Sequence, residues 1–173
     1  NRHIPLSPQA LPYQAEDPRE PAGAGGDPKE PFTNRSYRGK TVTTDNQDDL
    51  SKLIPLSIAC HESEPQIPVI VVISATRPFV PAEFEPYADA ILVTLGVQHQ
   101  AVLDILSGAV EPSGLLPMQL PADMRTVEEQ CEDTPHDMRC HIDEEGHTYD
   151  FAFGMNWSGV IDDARTRKYG KKQ

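Results

Sequence analysis

Residues 68–74, Pro-Val-Ile-Val-Val-Ile-Ser, form an unbroken β-branched run bounded by a proline and a polar residue. β-Branched side chains favour extended backbone. Apolar residues in succession, rather than in alternation, predict a strand buried on both faces, the pattern of a parallel sheet covered by helices. Ala-Ile-Leu-Val-Thr-Leu at 90–95 repeats it. A short helix is expected between the two runs, around Ala82–Tyr87. A second helix is expected over 98–108, with Val102, Leu103, Ile105 and Leu106 turned inward and Gly108 as its stop. Leu115–Leu120 reads as a third strand, short and flanked by prolines, hence near a sheet edge. The order strand, helix, strand, helix, strand predicts an α/β fold: a mostly parallel sheet with helices on both faces and right-handed crossovers.

This domain is expected over 45–160. Thr44 or Asp45 can cap a first helix carrying Leu50, Leu53, Ile54 and Ile58 at helical spacing, with Pro55 kinking or splitting it. Upstream, residues 1–44 hold seven prolines between Pro5 and Pro31, with Gly23, Gly25 and Gly26. Proline fixes φ and removes a donor, so an irregular, extended arm is expected there, either disordered or packed on a partner domain. Downstream, a helix is expected within 123–131, a charged loop over 132–147 and a last apolar stretch over 148–153. Residues 161–173 read as a solvated basic tail.

The 173 residues suffice for one domain. A formal net charge of −12 argues against nucleic acid and anionic membrane surfaces as partners. No apolar run reaches the ~20 residues of a membrane-spanning helix. Three cysteines, Cys60, Cys131 and Cys140, do not suggest a disulfide framework. The chain opens on Asn1, as a processed protein or a piece of a longer one would; the compartment, bacterial cytoplasm or secreted, stays open.

Three segments in order carry a family resemblance: 68–78, Pro-Val-Ile-Val-Val-Ile-Ser-Ala-Thr-Arg-Pro; 111–121, Glu-Pro-Ser-Gly-Leu-Leu-Pro-Met-Gln-Leu-Pro; and 149–157, Tyr-Asp-Phe-Ala-Phe-Gly-Met-Asn-Trp. Together they resemble the C-terminal α/β sandwich domain of glycoside hydrolase family 3, which includes β-glucosidases. The second is similar to the family's Asn-Pro-Ser-Gly-Arg-Leu-Pro. The third is similar to its closing Tyr-Pro-Phe-Gly-Tyr-Gly-Leu-Ser-Tyr. Leu115 stands where the family has arginine, and Gly-Val-Gln-His-Gln-Ala at 96–101 replaces its Gly-Gln-Glu-Gly-Gly stretch. Physically, Pro112-Ser113-Gly114 is a tight turn into the segment that follows. Phe151, Phe153 and Trp157 are candidates for packing first and for sugar contact second.

The resemblance implies hydrolysis of a terminal β-linked sugar with retention, carbohydrate as substrate and no organic cofactor. Retention needs two carboxyl groups roughly 5–5.5 Å apart. In the family the nucleophile is an aspartate on an N-terminal barrel. A barrel typically needs ~250 residues, so it is an expected partner and not part of this chain. This part would complete the sugar site at the barrel mouth, and the sandwich here would be incomplete. By position, Glu30 is the candidate acid/base, ahead of Asp27 and Glu20; its plain alternative is an exposed loop charge. Arg77, at the end of the first strand, and Gln98 and His99, at the start of the next helix, are candidate sugar contacts; a structural ion pair is the other reading of Arg77. Cys131, His136, Cys140, His141 and His147 bring soft and imidazole ligands close in sequence, but their spacing matches no common zinc pattern, so no metal is assigned. Two glycosylation-type triplets, at Asn34 and Asn156, are read as incidental. The rival functional readings are a non-catalytic interaction module docking on another domain or protein, and a metal-binding regulatory domain over 131–147. Self-association is left open.

Overall fold

The computed structural model describes residues 47–75, 78–131, 134 and 136–170. They form an α/β arrangement of helices around a small parallel sheet. Helix α1 (Gln47–His61) leads to strand β1 (Ile70–Ser74). A 3₁₀ turn (Glu85–Tyr87) precedes strand β2 (Ala90–Thr94), and helix α2 (His99–Leu106) follows it. Helix α3 (Met124–Glu129), a two-residue hairpin of β3 (Met155–Asn156) and β4 (Gly159–Val160), and helix α4 (Ala164–Tyr169) complete the order.

The two apolar runs lie side by side. β1 and β2 pair in parallel from Ile70↔Ala90 to Ser74↔Thr94, and the register separates two faces. Val71, Ile73, Ile91 and Val93 form the inner one, joined in the core by Phe79, Val80, Phe84, Leu120 and Val127. Phe79 is fully buried and stacks obliquely on Phe84, ring centres 5.9 Å apart. Leu50 and Leu53 of α1 pack against the same cluster. Ser57, also buried, fastens α1 by donating to the Tyr87 carbonyl (2.7 Å).

The structure corrects several expectations. The opposite face of the sheet is not covered among the described residues: Ile70 is 47% and Val72 39% exposed. An uninterrupted apolar run states that both faces suit burial; it does not state what buries them. Among the described residues the parallel sheet has two strands, and Leu115–Leu120 is not a third. Pro117 and the flanking Pro112 and Pro121 cannot donate to a ladder. The segment instead lies against 149–153 and 139–141: Leu116 N donates to Phe153 O (2.7 Å), Ala152 N to Leu116 O (2.8 Å), Leu120 N to Tyr149 O (2.9 Å) and His141 N to Leu120 O (2.9 Å).

The helix expected at Ala82–Tyr87 contracts to the 3₁₀ turn, with Pro86 inside it. α1 runs through Pro55 without splitting, held by packing on either side of it. On α2, Val102 and Ile105 are half-buried, whereas Leu103 and Leu106, expected inward, are 56% and 39% exposed. Gly108 ends this helix as anticipated, at φ +75°. Residues 164–169, within the expected solvated basic tail, form a capped helix whose side chains stay largely exposed. Asp163 accepts from the amides of Arg165 (2.7 Å) and Thr166 (3.3 Å), and Thr166 Oγ1 accepts from the Asp163 amide (3.0 Å). Arg165 also reaches back across the fold, its Nη1 donating to Ser113 O (2.8 Å).

Candidate functional site

A groove of about 970 Å³ runs along β2, between that strand and the 112–117 segment. Leu95 and the half-buried side of α2, Val102 and Ile105, supply one wall; Ser113–Leu116 and the 153–157 segment supply another. Two of the motif segments meet here. Gly154 sits so tightly against the Pro112-Ser113-Gly114 turn that a Cβ on it would lie 2.2 Å from the Gly114 carbonyl oxygen. Only glycine permits that approach. Ala152, two residues earlier, occupies φ +66°, where L side chains are disfavoured. From this anchor the chain turns into the β3–β4 hairpin, and Trp157 stands at its tip, 62% exposed on the groove lip.

The polar side of the groove comes from 143–149, with Asp143, Glu144, Glu145, His147 and Tyr149 lining it. Asp143 closes a loop with His147: its Oδ1 accepts from the His147 amide (2.8 Å) and its Oδ2 meets Nδ1 (3.1 Å). Partial burial pushes the Asp143 carboxyl up, but the hydrogen bonds and charge of His147 outweigh it, and the group is held below the usual carboxylate range. His147 stacks on Phe153 (5.9 Å), and Phe153 on Tyr149 (5.3 Å). Tyr149 meets the edge of His141 (5.2 Å), and His141 Nε2 pairs with Glu85 Oε2 at 3.1 Å. Burial first, then the negative charges of Asp143 and Glu85, raise the Tyr149 hydroxyl well above its ordinary value, so it remains a neutral donor. Carboxylates beside aromatic faces suit a polyol, whose hydroxyls donate and whose C–H faces stack.

Gln98 and His99 are exposed at the N-terminal end of α2, just beyond Val97 of the groove wall. Glu30 and Arg77 lie outside the described residues. The residues considered for zinc separate into other roles. Cys140 is buried, its sulfur accepting from Gln119 Nε2 (3.2 Å). His141 pairs with Glu85, and His136 Nδ1 lies 3.8 Å from Asp150 Oδ1. The amide of Cys131 donates to Asp137 Oδ2 (2.6 Å). Among the described residues no three such side chains gather closely enough to hold a metal ion. Sequence reasoning missed the Asp143–His147 and Glu85–His141 pairs. The four-residue spacing of the first was visible in the sequence; the second joins positions 56 apart and was not.

The motif segments that meet at this groove belong to a known family. The chain is a member of the glycosyl hydrolase family 3 C-terminal domain family, whose model matches residues 33–157. Among curated proteins it is similar to probable beta-glucosidase C of Aspergillus flavus and of Aspergillus oryzae. Each is 38% identical over 86 residues, 50% of this chain and 14% of the relative. Beta-glucosidase C of Emericella nidulans is 38% identical over 85 residues, 49% of this chain and 14% of its own length. The chain therefore spans a small part of the relatives it matches. No solved structure matches it.

Proposed function

We propose that this chain is the C-terminal part of a retaining β-glycosidase of the β-glucosidase type, completing the sugar site of an N-terminal barrel that carries the nucleophile. The observation that carries this reading is the groove where the segments 111–121 and 149–157 meet, in a family whose named relatives are beta-glucosidases. The open face of β1 and β2, with Ile70 and Val72 in solvent, supports it further, since a domain made to sit in a larger enzyme leaves such a surface for the remainder. In this reading residues 45–160 are the incomplete sandwich, 1–44 the arm toward the barrel and 161–173 an appended end. Glu30 supplies the acid/base, and Arg77, Gln98 and His99 lie toward the sugar. The chain alone is inactive, because a retaining site needs both carboxyl groups.

The test is complementation. A separately produced family 3 barrel, this chain, and their mixture are assayed with an activated aryl β-glucoside. Activity in the mixture alone is expected; a mixture no more active than the barrel refutes the reading. In the assembled enzyme, Glu30→Gln should slow an unactivated disaccharide far more than the aryl substrate, since the poor leaving group needs the proton. Near-wild-type rates on both would remove Glu30 from the mechanism.

A further inference from the structure

We infer that Asn156 is an acceptor for an N-linked glycan, attached at the β3–β4 hairpin by a transferase of the secretory pathway. The inference uses neither the groove as a ligand site nor the catalytic reading.

Asn156-Trp157-Ser158 has the acceptor pattern Asn-x-Ser with no proline at its centre. Such triplets arise often by chance, so the sequence alone left this one incidental. The structure adds its setting. Met155 pairs with Val160 and Asn156 with Gly159, so Trp157 and Ser158 are the two-residue loop of the hairpin. Both loop residues are exposed. Gly159 closes the turn at φ +110°, a backbone that a Cβ disfavours. Asn156 Oδ1 accepts from the Ser158 amide (2.9 Å), an Asx turn made within the triplet itself. Among the described residues Asn156 Nδ2 and the Ser158 hydroxyl make no hydrogen bond. The two groups that the acceptor pattern specifies are therefore both free. Asn156 is partly exposed and borders open space, so a transferase can reach its amide.

The surroundings suit the graft. Below the loop the Ile161 amide donates to Gly154 O (2.9 Å), and Gly154 is held against the Gly114 carbonyl. The hairpin is thus anchored at its base while its tip is open. Met155 and Val160 are cross-strand partners, 41% and 50% exposed. With Trp157 they make an apolar tip, the kind of surface that favours association. A hydrophilic glycan beside it offsets that tendency.

The reaction is a substitution whose co-substrate is an oligosaccharide joined to a lipid through pyrophosphate. Asn156 Nδ2 forms a bond to C1 of the first sugar. The bond from C1 to the pyrophosphate oxygen breaks, and its electron pair leaves with the lipid pyrophosphate. Nδ2 gives up one proton to the departing phosphate, and nothing is oxidised or reduced.

The test is secretion of the 173-residue chain from yeast behind a cleavable leader, with Asn34→Gln throughout to silence the other triplet. An amidase that releases N-glycans, used in oxygen-18 water, should shift the chain's mobility and leave a labelled aspartate at position 156 in the peptide mass spectrum. Asn156→Gln and, separately, Ser158→Ala should lose both signals, and Ser158→Thr should raise the modified fraction. Translation of the same chains with microsomes gives the same readout without export. Position 156 unmodified in both systems, with Ser158→Thr unmodified as well, overturns the inference. So does an amidase-sensitive shift that survives Asn156→Gln.

Discussion

Gly154→Ala tests whether the meeting of the two motif segments holds this end of the fold together. The new methyl would lie 2.2 Å from the Gly114 carbonyl oxygen and 3.0 Å from Leu115 Cδ2. Separations below 3.0 Å from backbone are essentially never adopted, so either the Gly114 turn or the 153–155 segment must retreat by about 0.8 Å. The opposing atom is backbone, fixed on one side by the Leu116–Phe153 hydrogen bond and on the other by Arg165 on Ser113. Relief by a side-chain rotation is not available. The cost is therefore expected at the upper end for overpacking, about 3 kcal/mol. With a urea slope of about 2 kcal/mol per molar, the midpoint falls by about 1.5 M. Gly108→Ala is the control. It too places a methyl on glycine, at φ +75° but in open space, so it carries only the left-handed penalty of roughly 1–2 kcal/mol. Both variants are followed by Trp157 emission, three residues from Gly154, and by far-ultraviolet dichroism. Equal midpoints for the two variants, or a loss below about 1 kcal/mol for Gly154→Ala, would refute the reasoning.

Two further outcomes follow from the same coordinates. Ala152→Gly removes a left-handed penalty of roughly 1–2 kcal/mol, adds about 0.5–1 kcal/mol of backbone entropy and gives up a buried methyl worth about 0.8 kcal/mol, so thermal unfolding should show stability within about 1 kcal/mol of the parent. Glu83 has a buried Oε2 without a hydrogen-bond partner among the described residues, and burial raises its carboxyl above the ordinary 4.5. Its charged form therefore opposes folding: the penalty is absent below 4.5 and grows as pH rises through the raised value. Glu83→Gln should accordingly stabilise the chain at pH 7 and lose that advantage as the pH falls to 4, read from denaturation midpoints at both pH values; an advantage that instead grows in acid would contradict this.

What the sequence disclosed and what it hid divide along physical lines. The β1–β2 pair was legible because β-branched runs encode extended backbone locally and unbroken apolar runs suit parallel strands, whereas the register from Ile70↔Ala90 came only with the structure. The stop at Gly108 was equally local. The third strand was misread because its apolar residues were weighed above the prolines that deny it a ladder. Burial on both faces is not met among the described residues, since hydropathy describes a surface and not its cover, as Ile70 and Val72 show. The candidate site was legible only as motifs. That 111–121 and 149–157 touch, that Gly154 is required by that contact, and that His141 finds Glu85 are long-range facts which no periodicity carries. The Asp143–His147 loop was within reach, as a carboxylate four residues before a histidine. The positions weighed most heavily for chemistry, Glu30 and Arg77, fall outside the described residues, so catalysis rests on complementation and not on geometry.

The Arg165 guanidinium on the Ser113 carbonyl has a practical corollary. Basic, polar C-terminal residues are the ones usually trimmed when a domain boundary is tidied for expression. Here such trimming would release a clasp: the turn opposite Gly154 would lose its outer brace, and Trp157 would stand on a hairpin whose backing had loosened. A version ending before Ala164 should therefore unfold at lower urea than the full chain, and the Gly154→Ala comparison holds only with α4 in place.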